Sequence, residues 1–138
     1  MPERTDNLTL VATFMKAMGQ PVGQGFEDAS GISLGLTLIE EEFIELADAA
    51  RSASKNPQAK KENFAKELAD LLYVTYWLAA RIGIDIDKAF REVHKSNMSK
   101  LGDDGKPVKR ADGKVLKGPN YKAPDLSHIV RSVPVTLA

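Results

Sequence analysis

Nine residues, Leu38-Ile39-Glu40-Glu41-Glu42-Phe43-Ile44-Glu45-Leu46, constrain what this chain can fold into. The stretch combines four glutamates with a helical apolar pattern. At roughly 100° per residue, Leu38, Ile39, Phe43, Leu46 and Ala50 share one face. On the same wheel Glu42 lies inside the apolar arc and Glu45 at its edge. A glutamate run on a helix is ordinarily a solvated face, and Glu40 is read that way. A carboxylate aimed at a core is different, because burying it unpaired is costly.

A second acidic pair follows downstream in Glu67-Leu68-Ala69-Asp70. Residues three apart sit on adjacent turns of one helix face. Glu67 falls beside Phe64 and Leu71 within an apolar stripe, and Asp70 falls at its border. Two core-facing helices of this kind bring four carboxylates together. Two unit charges about 4 Å apart repel by about 4 kcal/mol at an effective dielectric near 20. Some of the carboxyls must then be protonated, or cations must sit among them. Oxygen donors without His or Cys suit Mg²⁺, with Mn²⁺ as a substitute. Mg²⁺ held by a few carboxylates completes its shell with water and substrate phosphates, which points to phosphoryl chemistry.

The remaining pattern predicts an all-α fold, a bundle of four to five helices with an irregular basic C-terminal tail. Thr5 or Asp6 is placed to cap a first helix through Leu8, Val11, Phe14, Met15 and Met18, stopped by Gly19-Gln20-Pro21. A second helix is expected from Ser30 or Ser33 to about Ser54. Asn56-Pro57 opens a third, with the stripe Phe64, Leu68, Leu71, Leu72, Leu78, Ala79 and Ile82, ended by Gly83. Asp85 or Asp87 caps a fourth, running to about Met98. Tyr73, Tyr76 and Trp77 lie off the main stripe of the third helix and suggest a second buried surface. Trp77 is suited there to stacking a base or to an oligomer contact.

From Lys100 to Lys122 there are seven basic residues and three opposing aspartates, with Asp104-Gly105 and Asp112-Gly113 as turn signals. This reads as an ordered basic loop with a small hairpin, serving as a solvated arm, as an arm crossing onto a neighbouring subunit, or as a flap over substrate. Pro119, Pro124 and Pro134 keep the last stretch irregular, and the end from about Ser132 is expected to fray. The 138 residues suggest a single domain, with a helical core over about 5–100 and a basic tail over about 101–138. Lysine plus arginine and aspartate plus glutamate each number 19, so no overall charge excess argues for nucleic acid. Cysteine is absent, which excludes disulfides and thiolate metal sites. Neither a signal sequence nor a run long enough to span a membrane is visible, so a cytoplasmic protein is expected.

Glu41-Glu42-x-x-Glu45 followed by Glu67-x-x-Asp70 resembles the EExxE…ExxD signature of the all-α nucleoside triphosphate pyrophosphohydrolases. That superfamily holds the MazG-like proteins, dimeric-type dUTPases and phosphoribosyl-ATP pyrophosphohydrolases. The words Glu67 to Tyr73, Gly83-Ile84-Asp85 and Glu92 to Lys100 also fit, and Ala111 to Lys117 is similar to the tail of short MazG-like proteins. The resemblance covers about Leu8 to Asp125. It implies a helical homodimer or homotetramer and Mg²⁺-dependent cleavage of a nucleoside triphosphate between its α and β phosphates. By position, Glu42, Glu45, Glu67 and Asp70 would ligate metal, and Glu41 would orient or deprotonate the attacking water or help hold a further metal. Asn97 and Lys100 match the family's substrate-contacting Asn-x-x-Lys. Lys95, Arg110 and Lys114 are further candidates for the phosphates, each of which is otherwise an exposed solubilising charge. His94 is read as a helix-surface or packing residue rather than a ligand, because the carboxylate site is complete without it. A substrate pocket is expected between the first helix, with Phe14 and Gln20, and the carboxylate helices.

Two other readings compete with this one. The first is phosphoribosyl-ATP pyrophosphohydrolase itself, which the long basic tail disfavours. The second is a non-catalytic, metal-stabilised helical module whose tail binds an acidic partner. The zero net charge and the scarcity of aromatics in the tail argue against nucleic acid there.

Overall fold

The computed structural model describes residues 6–130, arranged as two compact units, residues 6–84 and residues 85–130. Thr5 and the stretch from about Ser132 lie outside the described residues. The first unit holds three helices: α1 (Asn7–Ala17), α2 (Ala29–Arg51) and α3 (Pro57–Ile82). The second holds α4 (Ile86–Met98), the two-stranded ribbon of β1 (Val108–Lys109) and β2 (Val115–Leu116), and one turn of helix, α5 (Ser127–Val130).

Capping chemistry sets the helix ends. The Asp6 carboxylate accepts from the Thr9 N–H at 2.8 Å and starts α1. Gly19, at φ +72°, turns the chain after it. Helix α2 begins earlier than the serines suggested, because Asp28 is the cap and accepts from the Gly31 N–H at 3.1 Å. It also ends earlier, at Arg51, where Ser54 bonds both backbone groups of Asn56 and draws the chain into a local turn. Asn56 Oδ1 accepts from the Gln58 and Ala59 N–H groups, with Pro57 opening α3.

The far end of α3 is closed from two directions. Gly83, at φ +83°, supplies the left-handed turn, and its N–H returns to the Ala79 carbonyl at 2.9 Å. The amides of Gly23, Gln24 and Gly25 donate in sequence to the carbonyls of Ala80, Arg81 and Ile82 at 2.8, 2.8 and 3.1 Å. A helix leaves its last carbonyls without intrahelical partners, and this loop supplies them. Asp28 then meets Arg81 through Oδ2 and Nε at 2.5 Å, with both side chains largely buried. The Arg81 guanidinium holds the Asp28 carboxyl below its usual range. That contribution to stability is present above the ordinary carboxylate range and fades on acidification.

Next to this clamp α2 lies tightly on α3, antiparallel to it. Gly31 and Gly35 are both buried. A Cβ on Gly31 would stand 2.6 Å from Arg81 Nε, and one on Gly35 would stand 2.6 Å from Leu78 Cδ1. Helix α1 packs on another side of α3. Trp77 is buried there with 4% of its surface exposed, and its Nε1 donates to Gln20 Oε1 at 3.0 Å. Phe14 meets Tyr73 edge to face at 5.7 Å. Trp77 is therefore a core residue of its own chain, satisfied by Gln20, and offers no free face for a base or a partner.

The apolar stripe of α3 is only partly covered. Ala79, Ala80 and Ile82 are buried, but Phe64, Leu68 and Leu72 are exposed, as are Phe43 and Ile44 on α2. Two helices pack on α3, and neither buries the positions repeating at 64, 68 and 72. The core of the first unit instead gathers around Leu8, Val11, Ala12, Met15, Ala49 and Trp77.

In the second unit Asp85 caps α4, accepting from the Lys88 N–H at 3.1 Å. The end of α4 is fastened to the tail through serines. Ser96 Oγ donates to the Lys122 carbonyl at 2.7 Å, and the Lys122 N–H donates to Ser99 Oγ at 2.9 Å. The basic segment forms the expected small hairpin, pairing Val108 with Leu116 and Lys109 with Val115.

Gly35→Ala is expected to destabilise the protein by about 1–3 kcal/mol in urea unfolding, because Leu78 must leave its place. The usual gain of about 0.5–1 kcal/mol for replacing a helical glycine is smaller. A midpoint equal to or above the wild type's would show that α2 does not approach α3 this closely.

Candidate active site

Antiparallel packing carries the two acidic pairs toward each other. Glu42 follows Gly31 by eleven positions, and Asp70 precedes Arg81 by eleven. Helices matched at Gly31 and Arg81 are therefore matched again at Glu42 and Asp70. Carboxylate oxygens of Glu42, Glu67 and Asp70 lie within 4.8 Å of one another. Glu67 is 9% exposed, Glu42 and Asp70 are half-buried, and Glu45 and Glu41 are exposed. Glu45 stays outside the group of three but remains close enough to Glu42 to perturb it.

Glu42 Oε2 and Glu67 Oε2 are buried and have no hydrogen-bond partner. Among the described residues nothing bonds these two oxygens, so each carries a desolvation cost. Burial pushes the Glu42 carboxyl above its usual range, and repulsion from Glu45, a side-chain hydrogen bond with Glu45, and the charges of Asp70 and Glu67 add to this. One cation of the chain does reach the group. Lys66 Nζ lies 2.8 Å from Asp70 Oδ2 and 3.2 Å from Glu67 Oε1. Hydrogen bonds to Asp70, then to Glu67, hold its ammonium above the ordinary lysine range. The sequence reading did not single out Lys66, although its four-residue spacing from Asp70 is an ordinary helical ion-pair signal.

A divalent cation fits this donor set. The ligands are hard oxygens, they come from two facing helices, and two of those oxygens are buried without partners. Glu42, Glu67 and Asp70 would hold it.

The substrate candidates of the second unit are distributed along α4 and the hairpin. Lys95 and Asn97 are exposed on α4, and Lys100 is half-buried just after it. Arg110 is committed to Asp112 through two hydrogen bonds, 2.9 Å from Nε and 2.5 Å from Nη2. Lys114 is exposed, and its carbonyl accepts from the Arg110 N–H across the turn. His94 is exposed on α4. In the first unit a cavity of about 240 Å³ lies between α1 and α3, lined by Leu10, Val11, Leu72, Tyr73 and Tyr76 among others. None of the acidic residues lines it, and Phe14 and Gln20 are engaged with Tyr73 and Trp77.

The family model for phosphoribosyl-ATP pyrophosphohydrolase matches residues 11–97, well over half of the 138. The chain belongs to the phosphoribosyl-ATP pyrophosphohydrolase family. That family is part of the MazG-like all-α superfamily, as the signature implied. Pyrophosphohydrolysis is its chemistry, and a divalent metal its common cofactor. A search of the curated proteins found no match. The matched span includes all four acidic positions and ends at Asn97, before the basic hairpin. Among the described residues no helix is long and apolar enough to cross a membrane.

Because ionised Glu42 is disfavoured in the folded chain, Glu42→Gln is expected to melt a few degrees above the wild type at neutral pH in chelator. The sign follows from the raised pKa: the folded wild type is penalised above the carboxylate range and not below it. The difference should therefore narrow as pH falls through that range. Melting curves across pH check this, and a lower melting point for Glu42→Gln at neutral pH contradicts it.

Proposed function

We propose that this family member is a Mg²⁺-dependent nucleoside triphosphate pyrophosphohydrolase, cleaving between the α and β phosphates to give a monophosphate and pyrophosphate. The observation that supports it most is the convergence of Glu42, Glu67 and Asp70 within 4.8 Å, with two buried oxygens unpartnered. Glu45 completes the proposed ligand set from the next turn of α2. A bound divalent ion would make water more acidic, neutralise phosphate charge and align in-line attack. Glu41, exposed one position before Glu42, is assigned to orient the attacking water and take its proton. Asn97 and Lys100 are assigned to the sugar and phosphates, with Lys95 and Lys114 as supporting cations. Arg110 would have to leave Asp112 to join them.

The family match gives weight to a second reading, phosphoribosyl-ATP as the substrate. The bond broken is the same, and the residue roles are unchanged. The ordered hairpin beyond the matched span favours the broader nucleotide reading.

We also propose a homodimer or homotetramer. Phe64, Leu68 and Leu72 form one exposed stripe on α3, and large apolar side chains left bare on this scale mark an interface. Light scattering should give at least twice the mass of the 15.1 kDa chain.

Incubation with Mg²⁺ and a panel of triphosphates, with phosphoribosyl-ATP as a separate arm, is expected to yield monophosphate and pyrophosphate. Orthophosphate as the first product would exclude this mechanism, and turnover of phosphoribosyl-ATP alone would select the second reading. Glu67→Gln and Glu45→Gln are each expected to lower turnover about 100-fold or more while remaining folded. Full activity in either variant removes that residue from the metal site.

A further inference from the structure

Lys66 is the one side chain whose cation reaches into the acidic group from the protein itself, among the described residues. Its Nζ bonds one oxygen of Glu67 and one of Asp70, while the side chain is 65% exposed. Glu67 has its second oxygen buried without a partner. The ammonium therefore neutralises the outer edge of the cluster and leaves the inner oxygens uncompensated. Its mobility differs from theirs, since a long exposed side chain can swing into water whereas a carboxylate packed between helices cannot.

We infer that Lys66 is a built-in counter-ion that competes with the divalent cation for Glu67 and Asp70, and so sets how tightly the free enzyme binds metal. The inference rests on the proposed metal site. A divalent ion shared by Glu67 and Asp70 draws on the same negative charge that Lys66 now uses. Either the ammonium stays, and two cations repel across a few ångströms, or it withdraws and gives up both bonds. Each course weakens the metal. Exposed ion pairs are individually weak, so the effect is modest and does not shut the site. In the metal-free protein the same ammonium relieves repulsion within the carboxylate group, so the residue that weakens loading also stabilises the empty site.

The test is calorimetric titration of the chelator-treated full chain with Mn²⁺ and with Mg²⁺, with melting curves recorded in parallel. Lys66→Met keeps the length and helix propensity and removes the charge. It is expected to bind metal about fivefold more tightly, equivalent to about 1 kcal/mol, and to melt lower than the wild type in chelator. Lys66→Arg keeps the charge and is expected to stay within about twofold of the wild type. Lys66→Gln serves as a second neutral variant and should follow Lys66→Met. Unchanged or weaker metal binding in both neutral variants overturns the inference, even if melting falls, because a merely structural ion pair would move stability alone. If the wild type itself binds neither ion, the metal reading falls and takes this inference with it.

Discussion

Mutual repulsion among Glu42, Glu67 and Asp70 is the constraint on which the rest of this structure turns. Carboxylates this close, with two oxygens out of water and unbonded, raise the energy of the fold. A chain that needed only a stable helical unit would have leucines at these positions. Glutamates kept there at the expense of stability make sense when binding returns the energy. The remainder of the first unit can then be understood as what holds the charges together. Burial of Trp77 and Met15 and the clamp at the end of α3 supply the cohesion that the acidic group removes.

That clamp is unusual in being mostly backbone. Three consecutive amides from residues 23–25 close three consecutive carbonyls of α3, and two glycines then let α2 settle against the same segment. The Asp28–Arg81 pair joins the two features, since Asp28 both caps α2 and holds the last turn of α3. The position of one helix along the other is thereby fixed about 16.5 Å from the carboxylates, eleven residues at 1.5 Å each.

Much of this was legible in the sequence because it is local. The Asn56-Pro57 start, the Gly83 stop and the Asp85 cap are signals carried within a few residues, and each falls where it was expected. The inward tilt of Glu42 and Glu67 could be read from a helical wheel. What could not be read depends on partners far along the chain. The sequence places the start of α2 at Ser30 or Ser33 and does not single out Asp28 as its cap, whose side-chain partner Arg81 lies 53 residues away. Gln20 is 57 residues from Trp77, so the indole looked available. Phe43, Phe64, Leu68 and Leu72 show the deeper limit. Periodicity tells that a face is apolar, but not whether the element that covers it belongs to the same chain.

The placement of the clamp also says which connection is free. Residues 52–56 join α2 to α3 at the end opposite the backbone lock. Ordinarily a short link between antiparallel helices dictates how they align. Here alignment is decided elsewhere, so this link is a tether rather than a ruler. It is the natural place for length to vary without moving one carboxylate past another.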